Sequence, residues 1–395
     1  MRMPKILHSL AAVFVLLLVN LAWGVSEKVL YTFDPEYVSA GGLVLDGAGN
    51  LYGTTYTGGA FGFGTVFELS ASAEGWTESV LHNFTGDTDG KYPSYYESLV
   101  FDTAGNLYGS TRYGGSGGAI FKLTPNGGNW TLSVIKIFKG GAPECALVFD
   151  TAGNLYGTTG STAFELSPGL GGSWTYRVLH VFGPTKGDGA YAHGALVFDT
   201  AGNLYGTTKF GGGVTSCGSG CGTVFKFTPA SGGTWRYRVI YRFKGGTDGK
   251  TPYAGVISDP AGNLYGTTTQ GGNTACNNSG CGIVFKLSPN SNGTWTETKI
   301  HVFTGLATDG AGPFGWLILD HVGNLFGTTV GGGSFGYGTV FELVPRARRW
   351  TETLLHSFAM DGSDGVGPFV GLISDSSGNL YGTTRDLPVA YEVTP

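Results

Sequence analysis

Two residues of this chain could share an acid–base reaction. Glu144 and His193 each stand six residues before a recurring aspartate, Asp150 and Asp199. A carboxylate and an imidazole can pass a proton between them or hold a metal, provided the fold brings them together. The same offset from the other recurring aspartates picks out Ala40, Tyr96, Tyr253, Phe314 and Phe369. A row of rings with few polar groups is a surface on which a small polar ligand such as a sugar stacks. The expected ligand-binding set is therefore Tyr96, Glu144, His193, Tyr253, Phe314 and Phe369, with Glu144 and His193 the catalytic candidates. The plainer expectation is a hydrophobic plug, with Pro143, Pro252, Pro313 and Pro368 shaping the turn before four of these positions.

Other chemistry-bearing residues also recur. Asp89, Asp188, Asp248, Asp309 and Asp364 are each followed by glycine. Their carboxylates could bind Ca²⁺, but one calcium site needs six to eight converging oxygens, and Asp-Gly is a standard turn pair, so the expectation is turns and no resident cofactor. Cys217 and Cys221 sit in a loop equivalent to that of Cys276 and Cys281, which in an exported chain reads as two disulfides, paired locally or between the loops. A four-thiolate zinc site is the rival. Cys145 is left over and reads as a small buried hydrophobe. Trp76, Trp130, Trp174, Trp235, Trp295 and Trp350 open one strand per repeat and are expected to pack the repeat core rather than form a carbohydrate platform. His82, His180, His301 and His356 recur in "LH.F" and are expected as separate surface histidines. No Gly-x-Ser-x-Gly nucleophile motif, H-E-x-x-H or P-loop is expected.

The elements that position these residues follow from a repeat. "GNLYGTT" and close variants occupy 49–55, 105–111, 153–159, 202–208, 262–268, 323–329 and 378–384. Self-similarity at this period marks units that cannot bury their apolar faces alone. Around residue 200 a unit reads as four strands. Strand a is Ala195-Leu196-Val197-Phe198, apolar throughout and expected to be buried on both faces. Asp199-Thr200-Ala201-Gly202 turns the chain into strand b, Asn203 to Thr208. Strand c is Thr223 to Phe227, and strand d, Trp235 to Phe243, alternates and should be half exposed. Polarity rising from first strand to last is the gradient of a propeller blade, with a at the hub and d at the rim. "VLYTF" (29–33) matches the end of a strand d, and the last unit has only a, b and c. The expected fold is all-β, a seven-bladed propeller of four-stranded antiparallel blades over 25–395. The N-terminal strand completes the last blade and hides two open edges.

Residues 1–24 read as a cleaved secretory signal, with an uncleaved membrane anchor as the alternative: a basic start, an apolar run from Ala11 to Leu18, and Ala22-Trp23-Gly24 at the cleavage site. No second run of spanning length follows, so no membrane span is expected after signal removal. With 71 glycines and a net charge of −5 scattered in sign, the chain has many tight turns and no basic stripe for nucleic acid.

"ALVFDTAGNLYGTT", "GTVFKFTP" and "GGTWRYRVIYRF" resemble the GloVer repeat of the choice-of-anchor tandem-repeat proteins over nearly all of 25–395. The resemblance implies an exported bacterial repeat protein, often with a C-terminal sorting segment, which "YEVTP" does not resemble. The chain is more loosely similar to kelch, NHL and gluconolactonase-like propellers. Strand parity puts the short a–b and c–d turns on one face and the variable b–c and d–a loops on the other, where binding is expected. The expected function is a monomeric, secreted, periplasmic or cell-surface scaffold for a partner protein or a polysaccharide. The alternatives are a lyase, lactonase or glycosidase at the channel mouth, and a purely structural role.

Overall fold

In the computed structural model the described residues are 25–34, 40–94, 98–114, 117–143, 146–183, 187–347, 349–362 and 364–395. The signal at 1–24 and the candidates Tyr96, Glu144 and Cys145 lie outside them. Seven antiparallel blades follow one another, each pairing four strands in the order a, b, c, d, and in the second the short strand Lys91–Pro93 also pairs with strand b. The fourth blade has strands Val197–Phe198, Leu204–Thr208, Thr223–Pro229 and Trp235–Arg242. In the seventh blade the order is closed by the N-terminus: Ser26–Thr32 lies antiparallel to Val389–Thr394, from Ser26 opposite Thr394 to Thr32 opposite Val389. The expected propeller and its mode of closure are both present.

The repeated heptapeptide is explained by the a–b turn. The Asp199 carboxylate accepts from the Ala201 and Asn203 amides, from Asn203 Nδ2 and from the Tyr205 hydroxyl at 2.9 Å. Gly202 takes φ +77°, where a β-carbon would be strained. Burial pushes the Asp199 carboxyl up, but these hydrogen bonds outweigh it and hold the group below its ordinary value. Asp46, Asp102, Asp259 and Asp375 are held in the same way.

The burial gradient differs from the expectation at its inner end. Val197 and Phe198 are only half buried, whereas strand b is buried along its whole length. Strand a borders the axis and has a neighbouring strand on one side only, so the best-covered strand is the next one out. Strand c contributes a fully buried ring to each blade: Phe67, Phe121, Phe164, Phe225, Phe285, Phe341 and Tyr391. Each such ring contributes roughly 2–3 kcal/mol by burial.

Blades are joined by three recurring devices. Tryptophans open six d strands, and five pack edge-on against the b-strand tyrosine of the preceding blade, as Trp235 does on Tyr156 at 5.8 Å. Trp76 packs in the cluster that contains Tyr381, so the core reading of the series holds. A b-strand threonine donates to a hub carbonyl of the next blade, as Thr207 Oγ1 does to Ala254 at 2.8 Å; Thr383 Oγ1 does so to Gly41 at 3.0 Å, across the closure. The third device is a bulge in every c–d pair, such as Val340 opposite His356 and Phe341 opposite Leu354, with Leu355 inserted. On a regular strand Glu352 and His356 would share a face. The bulge turns the strand end over, so Glu352 meets the blade before it and His356 the blade after it.

Candidate functional site

The hub brings together the described members of the ring row. His193, Tyr253, Phe314 and Phe369 line one cavity, with Ala146, Ala195, Gly255 and Trp316 on the step below. The rings form an unbroken file. His193 stacks on Tyr253 at 4.8 Å, Tyr253 lies 5.1 Å from Phe314, and Phe314 lies 4.7 Å from Phe369. The cavity measures about 20 Å³, room for one water. A sugar cannot enter it; a ligand would have to lie across the mouth.

The reason is Trp316. Four residues before the recurring aspartates stand Gly42, Ser98, Ala146, Ala195, Gly255, Trp316 and Gly371, six small residues and one indole. The indole donates from Nε1 to the Leu372 carbonyl at 3.0 Å and lies where a Gly371 β-carbon would be. The plug is therefore one side chain from the sixth blade, and the ring row caps it. Trp316 was legible only as the lone large residue in a column of small ones.

Two cations at the mouth were also missed. Lys209 Nζ lies 5.0 Å from the Tyr253 ring and the Arg385 guanidinium 4.1 Å from the Phe369 ring. Both follow the closing threonine of a strand b, the position Arg112 holds in the second blade. The surrounding loops carry exposed apolar side chains, among them Phe61, Tyr191, Leu306, Phe335 and Met360, all on the b–c/d–a face.

The two periodic rows of histidine and aspartate meet at the blade seams. His82–Asp89, His180–Asp188, His301–Asp309 and His356–Asp364 are paired at 3.1, 3.0, 3.1 and 2.7 Å. The histidines are not surface groups; they lie half buried between blades, though each stays on its own seam. The aspartates turn the d–a loops as expected, accepting the Thr85, Gly183, Lys244, Thr304 and Ala359 amides. On the seam between the third and fourth blades, Tyr237 stacks on His180 at 3.7 Å and donates to Asp188 at 2.6 Å. Between the fifth and sixth, Glu352 takes the place of that tyrosine, 3.4 Å from His301. Burial pushes Glu352 up to about 7, against the pull of His301 and with a further push from Asp309. Burial lowers His301, but Asp309 and Glu352 outweigh it and raise it.

The cysteines pair locally, Cys217 with Cys221 and Cys276 with Cys281, so neither the cross-blade pairing nor a four-thiolate zinc site forms. Contrary to the expectation of no Gly-x-Ser-x-Gly, two strings, 114–118 and 332–336, fit that pattern. Ser334 in the second is exposed in a loop between two strands, without the helix that a nucleophile elbow requires. Among the described residues no helix is long and apolar enough to cross a membrane.

The profile described as the Gloeobacter/Verrucomicrobia repeat matches residues 19–213 and 160–388. Among solved structures, a virginiamycin B lyase from Staphylococcus aureus is similar over 94% of this chain and 99% of its own, at 12% identity and a TM-score of 0.59. An extracellular domain from B. thetaiotaomicron is similar over 92% of this chain and 39% of its own, at 10% identity and 0.57. A protein from Lactobacillus plantarum is similar over 88% and 99%, at 15% identity and 0.57. At such identities the likeness concerns the fold alone. Among curated proteins none matches this sequence.

Proposed function

We propose that this chain, which belongs to the Gloeobacter/Verrucomicrobia repeat family, is an exported binding module whose b–c/d–a face holds an acidic polysaccharide across the channel mouth. The carrying observation is the file of four rings flanked by Lys209 and Arg385. Rings stack on the apolar faces of sugars, and cations pair with carboxylates or sulfates. The filled hub supports a long ligand lying over the mouth rather than a small one swallowed by it. Two disulfides suit an oxidising compartment.

The test is calorimetry with polygalacturonate, alginate and a neutral glucan. Binding of an acidic polymer that weakens with salt, and falls at least tenfold in the Lys209→Ala/Arg385→Ala and Tyr253→Ala/Phe314→Ala variants, is expected. Equal binding of the neutral polymer, or undiminished binding by both variants, refutes the reading. The runner-up is a lyase, lactonase or glycosidase using Glu144 and His193, favoured by the place of His193 in the hub cavity. Turnover of a lactone or glycan that is lost in Glu144→Gln distinguishes it.

A further inference from the structure

We propose that the seam where the ring closes is a divalent-cation site built from Glu27, His356 and Asp364. Glu27 lies on the N-terminal strand, His356 on the last strand of the sixth blade, and Asp364 in the loop that follows it. One potential ligand atom from each lies within 4.8 Å of the other two. His356 Nε2 is 2.7 Å from Asp364 Oδ2. That is a hydrogen-bond distance; two ligands held tetrahedrally at about 2.1 Å lie about 3.4 Å apart, so a bound cation would replace this hydrogen bond with a small parting of the two side chains.

Among the described residues, three buried polar atoms at this seam have no hydrogen-bond partner: Glu27 Oε1, Asp364 Oδ1 and the Tyr391 hydroxyl. The Asp364 side chain is only 7% exposed, and Tyr391 is fully buried. A buried oxygen left unpaired costs roughly 1–3 kcal/mol, more when charged. Tyr391 also departs from its repeat, since the six equivalent core positions are phenylalanine. Burial, and the nearby Asp364 and Glu27 charges, push its hydroxyl up. Burial raises Glu27 as well, against the pull of His356.

Comparison with the other seams isolates what is special here. Where Tyr237 holds the Glu27 position, its hydroxyl fills the second oxygen of Asp188. The seam between the fifth and sixth blades has the same three residue types, but Asp309 is saturated. His301 and the Gly310 amide occupy Oδ1, and the Thr304 amide and hydroxyl occupy Oδ2. Ala359 replaces that threonine at the closing seam, and among the described residues Asp364 accepts through Oδ2 alone, from His356 and the Ala359 amide. Its second oxygen has no donor among the described residues, and the Glu27 carboxylate stands at the same seam. One imidazole and two carboxylates suit Zn²⁺ or a similar transition-metal ion, with a position left for water. Ca²⁺ would need more oxygens. Because one ligand comes from the N-terminal strand, the cation would bind only the closed ring and hold it shut.

The experiment titrates Zn²⁺ into the chelator-stripped full chain, shown folded by circular dichroism, with stoichiometry from equilibrium dialysis and Tm at each concentration. One Zn²⁺ per chain is expected, with Tm rising as Zn²⁺ is added. Glu27→Gln and Asp364→Asn should each lower affinity at least a hundredfold, while His301→Ala keeps it. No Zn²⁺ on the folded intact chain, or intact affinity in folded Glu27→Gln, overturns the proposal. Tyr391→Phe removes no proposed ligand and must still bind one Zn²⁺; loss of binding in a folded Tyr391→Phe protein also overturns the assignment.

Discussion

Glu297 shows how the charge of one residue acts through its surroundings. It lies on the seam between the fourth and fifth blades, facing Asp248, which accepts from the Tyr241 hydroxyl at 2.6 Å. Burial pushes Glu297 up to about 7 and Asp248 adds to it, while Lys299 and Lys244 pull the other way. A carboxyl whose folded value lies above its unfolded value binds more protons in the native state between the two. Its contribution is therefore present below about 4.5 and lost as pH rises through about 7. Glu297→Gln should leave stability unchanged near pH 4 and raise it by about 1 kcal/mol at pH 8, the figure being reduced for partial exposure. Urea unfolding across pH 4–8 checks this; a variant parallel to the parent at every pH contradicts it.

At the scale of elements, the bulge in each outer strand has the largest consequence. It lets one strand address both neighbouring blades, tryptophan and glutamate backward, histidine forward. His356→Leu should keep the bulge and leave Asp364 without its closest donor. For a buried carboxylate that loss costs about 3–5 kcal/mol. Leu355→Val, which keeps the insertion, should cost about 1 kcal/mol. Equal denaturation midpoints for the two variants would show that the His356–Asp364 contact does not hold the seam.

For the whole molecule, closure is a joint between the chain ends. The N-terminal strand supplies the outer edge of the seventh blade and places Tyr31 3.0 Å from Glu78 of the first. Phe33 is buried against Phe67 at 4.9 Å. Removing Glu27–Phe33 should lower Tm by 10 °C or more and promote association through the bared edge of Val389–Thr394. Light scattering with thermal melting reads both effects. A truncated chain that stays monomeric and melts with the intact one would mean that the ring does not depend on this strand.

The repeat determined blade number, strand order and turn chemistry, because each is a local pattern repeated until its meaning is unambiguous, and the match of "VLYTF" to the end of a strand d determined closure. Asp199, Gly202 and Tyr205 act within one hairpin, so sequence distance is a fair guide to contact. The tryptophan series was legible for the same reason of period. Three things waited for the tertiary structure. His356 and Glu352 face opposite neighbours because an inserted residue breaks the alternation that strand reading assumes. Trp316 fills the hub because seven inner strands converge there, and only that convergence makes six small residues and one large one a plug. The meeting of Glu27 with Asp364 spans nearly the whole chain, and nothing short of ring closure brings those two carboxylates face to face.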